Sequence, residues 1–120
     1  MPGEGRDPAY LWDMLEAAKT SLGFTHGVTS EQYHADLKLR LAVEREIGII
    51  GEAARRVSEP FRSAPPEIPW QKIIAQRNVM IHDYGDIDHG RIRQLVIDQI
   101  PRLIEQLTPL IPPIPEEPKE

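Results

Sequence analysis

From Thr29 to Ser58 neither proline nor a turn cluster interrupts the chain, and Leu39, Val43, Ile47, Ile50, Ala54 and Val57 recur at steps of three and four. That is the period of one buried helix face, so this stretch commits the fold to long helices. A Thr-x-x-Gln capping box at Thr29–Gln32, or a Ser30 cap, opens it, and the spacing predicts one unbroken helix to Ser58. Gly48 and Gly51 lie within it, and each glycine costs a helix roughly 1 kcal/mol against alanine. Two in one helix point to a packing reason: a neighbouring helix that approaches closely.

The other segments repeat this logic. Asp7 is placed to cap a helix with Pro8 at its first position, Leu11, Leu15, Ala18 and Leu22 follow at helical spacing, and Gly23 is the expected stop. Pro60, Pro65, Pro66 and Pro69 make residues 59 to 69 a non-helical loop, with Phe61 and Ile68 as anchors. A further helix runs from about Pro69 to Tyr84 and ends at Gly85. Asp86 or Asp88 then caps the last one, whose apolar face is Ile92, Leu95, Val96, Ile100, Leu103, Ile104 and Leu107, kinked at Pro101. With no alternating strand pattern, the expectation is an all-α antiparallel four-helix bundle. It spans residues 1–110 as one domain, and 111–120 is expected to form a disordered proline-rich tail, extended from Pro109 onward.

Composition excludes several functions. There is no cysteine, so disulfides, zinc–thiolate sites and thiol catalysis are unavailable. No stretch approaches the roughly 18 uninterrupted apolar residues of a membrane span, and the expectation is a soluble, cytoplasmic protein. The net charge is −5; Glu116, Glu117 and Glu120 against Lys119 make the last ten residues −2, which leaves −3 for residues 1–110. A mildly acidic body argues against a protein that coats nucleic acid generally, and any RNA binding is expected to be local to a cleft. Ten of the fourteen basic residues are arginine.

The chemistry concentrates in Arg77-Asn78-Val79-Met80-Ile81-His82-Asp83-Tyr84. A guanidinium holds phosphoryl oxygens in its planar fork, and an imidazole exchanges protons near neutral pH, so these are groups that handle phosphate without a metal. Arg77 and Tyr84 share a helix face, and Asn78 and His82 lie on a neighbouring one. Trp70, Ile74, Arg77, Ile81 and Tyr84 form one stripe, which puts Arg77 in the middle of an otherwise apolar row. An arginine there must find a carboxylate, of which Glu44, Glu46 and Glu52 are candidates, or open onto a groove where an anion reaches it. Arg77 and His82 stand roughly 140° apart on an ideal helix. The length of the arginine arm, a helix end near Tyr84 or a second copy of the chain would bring both to one substrate.

Arg77-Asn78-x3-His82-x-Tyr84 resembles the R-x4-H-x-Y signature of HEPN domains, and the surroundings resemble its HepT-like branch. The segments Ala9-Tyr10-Leu11-Trp12-Asp13-Met14-Leu15, Ile49-Ile50-Gly51-Glu52-Ala53 and Ile68-Pro69-Trp70 share the likeness, which covers about residues 6 to 110. The resemblance implies a ribonuclease toxin that works as a homodimer, with two motifs facing each other across a cleft. It also implies a partner, a nucleotidyltransferase antitoxin that adds AMP to Tyr84 and silences the enzyme.

On that reading His82 takes the proton of an RNA 2'-hydroxyl, Arg77 stabilises the phosphorane, and Asn78 orients His82 or binds the phosphate. It needs no cofactor and no metal. The acids and imidazole at Asp83, Asp86, Asp88 and His89 lack calcium-loop order, and Asp86 and Asp88 serve as caps. Two alternatives stand beside it: a non-catalytic nucleotide- or RNA-binding regulatory module whose Tyr84 a partner modifies, and a structural bundle whose motif is an interface ion-pair cluster.

Overall fold

The computed structural model describes residues 6–64, 68–82 and 88–111, with backbone alone for 78–82. It is all-helical among these residues. The elements are α1 (Asp7–Thr25), α2 (Ser30–Ala35), α3 (Leu37–Arg56), α4 (Glu59–Arg62), α5 (Trp70–His82), α6 (His89–Asp98), α7 (Ile100–Leu107) and a 3-10 turn over Thr108–Leu110. No helix among the described residues is long and apolar enough to cross a membrane.

The central element is α3, which packs against α1 on one side and α5 on the other, while α1 also rests on α6 and α7. The sequence stripe of α3 is the reason: Val43, Ile47, Ile50, Ala54 and Val57 are buried and Leu39 partly so. They meet Leu11, Met14, Leu15 and Ala18 of α1, and Ile92, Val96, Ile100, Leu103 and Leu107 complete the same core from α6 and α7. Each fully buried large side chain contributes about 1.5–3 kcal/mol, so this shared core dominates the stability.

Four boundaries depart from the sequence reading. The uninterrupted helix predicted from residue 30 to 58 is two: Asp36 adopts extended backbone, and its carboxylate accepts the N–H of Leu39 at 3.0 Å to cap α3. Aspartate competes with the helix for backbone partners, and here the side chain wins. The Thr29 capping box is present in α2, with Gln32 N–H donating to Thr29 Oγ1 at 3.1 Å and Thr29 N–H to Gln32 Oε1 at 2.9 Å. The first helix passes Gly23 and ends at Thr25, because the chain reverses at Gly27, the residue with positive φ (73°). The loop predicted over 59–69 holds the short helix α4, with Pro60 in its first turn, where the missing N–H leaves no bond unmade. The tail expected to be extended from Pro109 instead begins with a 3-10 turn, and Leu110 and Ile111 pack on the core. Residues 112–120 lie outside the described residues.

Asp7 also does something other than predicted. It sits inside α1 instead of capping it, and its buried carboxylate reaches across to the start of α4, accepting from Ser58 N–H at 2.9 Å and Ser58 Oγ–H at 2.6 Å. The beginning of α1 is thereby fastened to the joint between α3 and α4. At the other end of the chain, Pro101 does more than kink the last helix: α6 stops at Asp98 and α7 starts at Ile100 with Pro101 in its first turn. The cap of α6 is Asp88, which accepts Arg91 N–H at 3.1 Å.

Candidate functional site

Arg77 projects from the third turn of α5, and the close approach of α3 decides its surroundings. Gly51 makes that approach: a Cβ there would stand 2.2 Å from Arg77 Cβ and 3.1 Å from the carbonyl oxygen of Ile73. Only a residue without a side chain fits. Gly48, by contrast, has nothing within 4 Å of the same position, so one of the two glycines serves the helix contact.

With the helices this close, Glu52 comes to Arg77. Its Oε2 lies 2.9 Å from Arg77 Nη2. Of the three acids the sequence offered, Glu52 is therefore the partner, and Glu44 is used elsewhere, 3.2 Å from His89 Nδ1. The pair explains an arginine on an apolar stripe: Trp70 of that stripe is buried, Ile74 is half-buried, and the guanidinium is matched by a carboxylate. Arg77 nevertheless keeps 24 % of its side-chain surface in solvent.

Glu52 is shared more widely. Its Oε1 accepts from Arg55 Nη2 at 2.9 Å and from Arg56 Nε at 3.0 Å. The Arg55 bond foremost, then Arg56 and the charge of Arg77, hold the Glu52 carboxyl below its usual range against partial desolvation, so it stays ionised through neutral pH. The Glu52-x-x-Arg55-Arg56 spacing is the sequence signal for the first two contacts, at three and four residues on one helix face.

His82 is the last residue of α5, and Asn78 lies one turn before it; the side chains of both are outside the described residues. Tyr84 is outside them entirely, as are Asp83, Gly85 and Asp86. Of the acidic cluster that follows, Asp88 is a helix cap and His89 is the partner of Glu44.

Two further features were not foreseen. Tyr33 of α2 is fully buried, its hydroxyl has no hydrogen-bond partner among the described residues, and burial together with the Glu44 carboxylate pushes its pKa up to about 12. A cavity of about 450 Å³ opens between α5 and the α6–α7 pair, lined by Ile47, Ile50, Ile73 and Leu103 and by Lys72 and Arg102. Arg77 does not line it.

Comparison with known proteins places this arrangement. The family model described as "Ribonuclease HepT-like" matches residues 14–110. "Probable ribonuclease HepT" of Thermococcus cleftensis is 35 % identical over 78 % of this chain and 86 % of its own length. Two proteins of Methanocaldococcus jannaschii are comparably similar: "Putative RNase MJ0127", 33 % identical over 91 % of this chain and 90 % of its own, and "Putative RNase MJ1380", 32 % identical over 82 % and 91 %. No solved structure gives a significant match. The match extends over α3, the α5 helix with Arg77, and the α6–α7 pair, and the chain belongs to the HepT-like ribonuclease family.

Proposed function

We propose that this protein is the toxin of a toxin–antitoxin pair, a cytoplasmic, metal-independent endoribonuclease that works as a homodimer of four-helix bundles. Residues 1–110 form the working unit, and Ile111 packs on its core. The observation that carries the reading is Arg77: the first residue of the R-x4-H-x-Y motif is set in place by Gly51 and Glu52 and keeps 24 % of its side-chain surface in solvent. Family membership supplies the reaction class, since the similar proteins are named as ribonucleases.

The chemistry follows from the residue types. His82 removes the 2'-hydroxyl proton, and the freed oxygen attacks the adjacent phosphorus. Arg77 stabilises the phosphorane's negative charge. Water, or His82 of the second subunit, protonates the departing 5'-oxygen, leaving a 2',3'-cyclic phosphate and a 5'-hydroxyl. Asn78, one helical turn from His82, orients the imidazole. A nucleotidyltransferase antitoxin silences the enzyme by adenylylating Tyr84, since the added phosphate competes for Arg77.

The test is kinetic. Arg77→Ala is expected to lose about two to three decades of kcat on RNA, the scale for removing one oxyanion stabiliser, and Arg77→Lys to recover part of it. Equal turnover by all three proteins contradicts the assignment. Incubation with an adenylylating partner and ATP is expected to add AMP mass to the wild type and none to Tyr84→Phe. The acidic balance of residues 1–110 favours one second reading, a regulatory module that binds nucleotide or RNA without cutting it. RNA binding by wild type with no turnover selects it.

A further inference from the structure

Glu52 gathers more positive charge than it neutralises. Arg55 and Arg56 from α3 and Arg77 from α5 converge on its two oxygens at 2.9, 3.0 and 2.9 Å. Arg55 and Arg56 alone set two guanidiniums against that one carboxylate, a local surplus of positive charge on a chain whose net charge is −5. Along the chain the next charges, Glu59 and Arg62, pair with each other at 3.3 Å and do not cancel that surplus. Arg55 and Arg56 are 54 % and 56 % exposed, so their outer N–H groups face solvent while Glu52 holds their inner ones.

A purely structural role accounts for part of this. Both arginines lie in the last turn of α3, where the helix dipole favours cations, and each makes a short-range pair worth a few tenths of a kcal/mol. That role requires neither two arginines on one oxygen nor their meeting with a guanidinium from another helix. The half-exposed guanidiniums of Arg55 and Arg56 present N–H donors to solvent beside Arg77, an arrangement that suits a row of phosphates.

We propose that Arg55 and Arg56 form, next to Arg77, a binding subsite for the backbone phosphates of a single RNA strand, with Glu52 as the common anchor that orients all three. The proposal rests on the ribonuclease reading and extends it. Arg77 takes the scissile phosphate, while Arg55 and Arg56 take phosphates flanking it. Binding is local, as an acidic body demands, and has an electrostatic signature. Each phosphate contact on a single strand contributes about 0.7 to the slope of log K against log salt, so loss of two contacts makes the slope shallower by about 1.4.

The experiment measures binding of a short 2'-O-methyl oligoribonucleotide, which cannot be cleaved through the 2'-oxygen, as salt is varied. Cleavage of the matching unmodified RNA is followed in parallel. Wild type, Arg55→Gln/Arg56→Gln and Arg55→Lys/Arg56→Lys are compared after thermal melts establish that all three are folded. The expected result is a slope about 1.4 shallower and affinity at least about tenfold weaker for the glutamine pair, with the slope retained by the lysine pair. An unchanged slope in the glutamine pair overturns the subsite, as does a wild type that binds no RNA. The parallel assay separates the two ideas. Cleavage by wild type with an unchanged variant slope removes the subsite and leaves the ribonuclease; a slope loss without any cleavage keeps the subsite and removes the ribonuclease.

Discussion

Gly51→Ala and Gly48→Ala are the same chemical change three residues apart on α3, and the structure assigns them opposite signs. At Gly51 the new methyl would stand 2.2 Å from Arg77 Cβ, and ordinary contact begins at 3.4 Å, so the helices must separate locally by 3.4 − 2.2 = 1.2 Å. The obstacles are a β-carbon and the Ile73 backbone oxygen, neither of which is the free end of a flexible side chain. Overpacking of this kind costs about 1–3 kcal/mol, here toward the upper end, and the helix propensity of alanine returns about 1, for a net loss of about 1–2 kcal/mol. The same separation opens the 2.9 Å Arg77–Glu52 contact beyond 4 Å, so activity that depends on Arg77 falls with it. At Gly48 nothing lies within 4 Å, and the propensity gain of about 1 kcal/mol stands alone. Urea denaturation of both variants beside the wild type measures the two signs. A Gly51→Ala protein as stable as Gly48→Ala would refute the close α3–α5 contact and, with it, the account of how Arg77 is held.

Other perturbations test separate parts of the account. Asp7→Ala leaves Ser58 N–H and hydroxyl unpaired where α1 meets α4, and is expected to cost about 2–3 kcal/mol in a denaturant melt, with Ser58→Ala costing less and the two showing strong coupling in a double-mutant cycle. Tyr33 titrates near 12 in the folded chain against 10 when unfolded; its contribution is fully present below pH 10 and is lost as pH rises toward 12, about 3 kcal/mol across that window, and Tyr33→Phe is expected to remove this component of the alkaline loss. Glu52 runs the other way. Its lowered carboxyl contributes stability above its unfolded value of 4.5, lost as pH falls below it, and Glu52→Gln is expected to abolish that acid-side dependence and to lower kcat through a less ordered Arg77.

Much of this fold was written in local pattern. The stripe Val43–Ile47–Ile50–Ala54–Val57, the Thr29 box and the Asp88 cap are short-range features, and they stand in the structure where the residues place them. Asp36 was hidden because one aspartate in a run of helix formers reads equally as an exposed helical residue; whether it caps depends on α2 turning away to bury Tyr33. Asp7 was misread for a related reason. Its cap-like position before Pro8 is local, whereas its partner Ser58 is 51 residues away, and no periodicity reports such a contact. Within the site, two glycines on one helix signalled a close neighbour, but both look alike in sequence, and the position of Arg77 across from Gly51 alone separates them. Among Glu44, Glu46 and Glu52, the place of Glu52 beside Gly48 and Gly51 already marked it as the acid a close neighbour would bring to Arg77, and the register of α3 against α5 does so.

The most direct measurement pairs wild type with His82→Ala, both verified as folded, and incubates each with cellular RNA and tRNA in excess EDTA. The account predicts cleavage by wild type that leaves 2',3'-cyclic phosphate ends, and a rate two to four decades lower for the variant, about the contribution of one positioned base. Unmodified wild type, checked by mass for AMP on Tyr84, that cuts no RNA would contradict the account, and so would equal cleavage by His82→Ala.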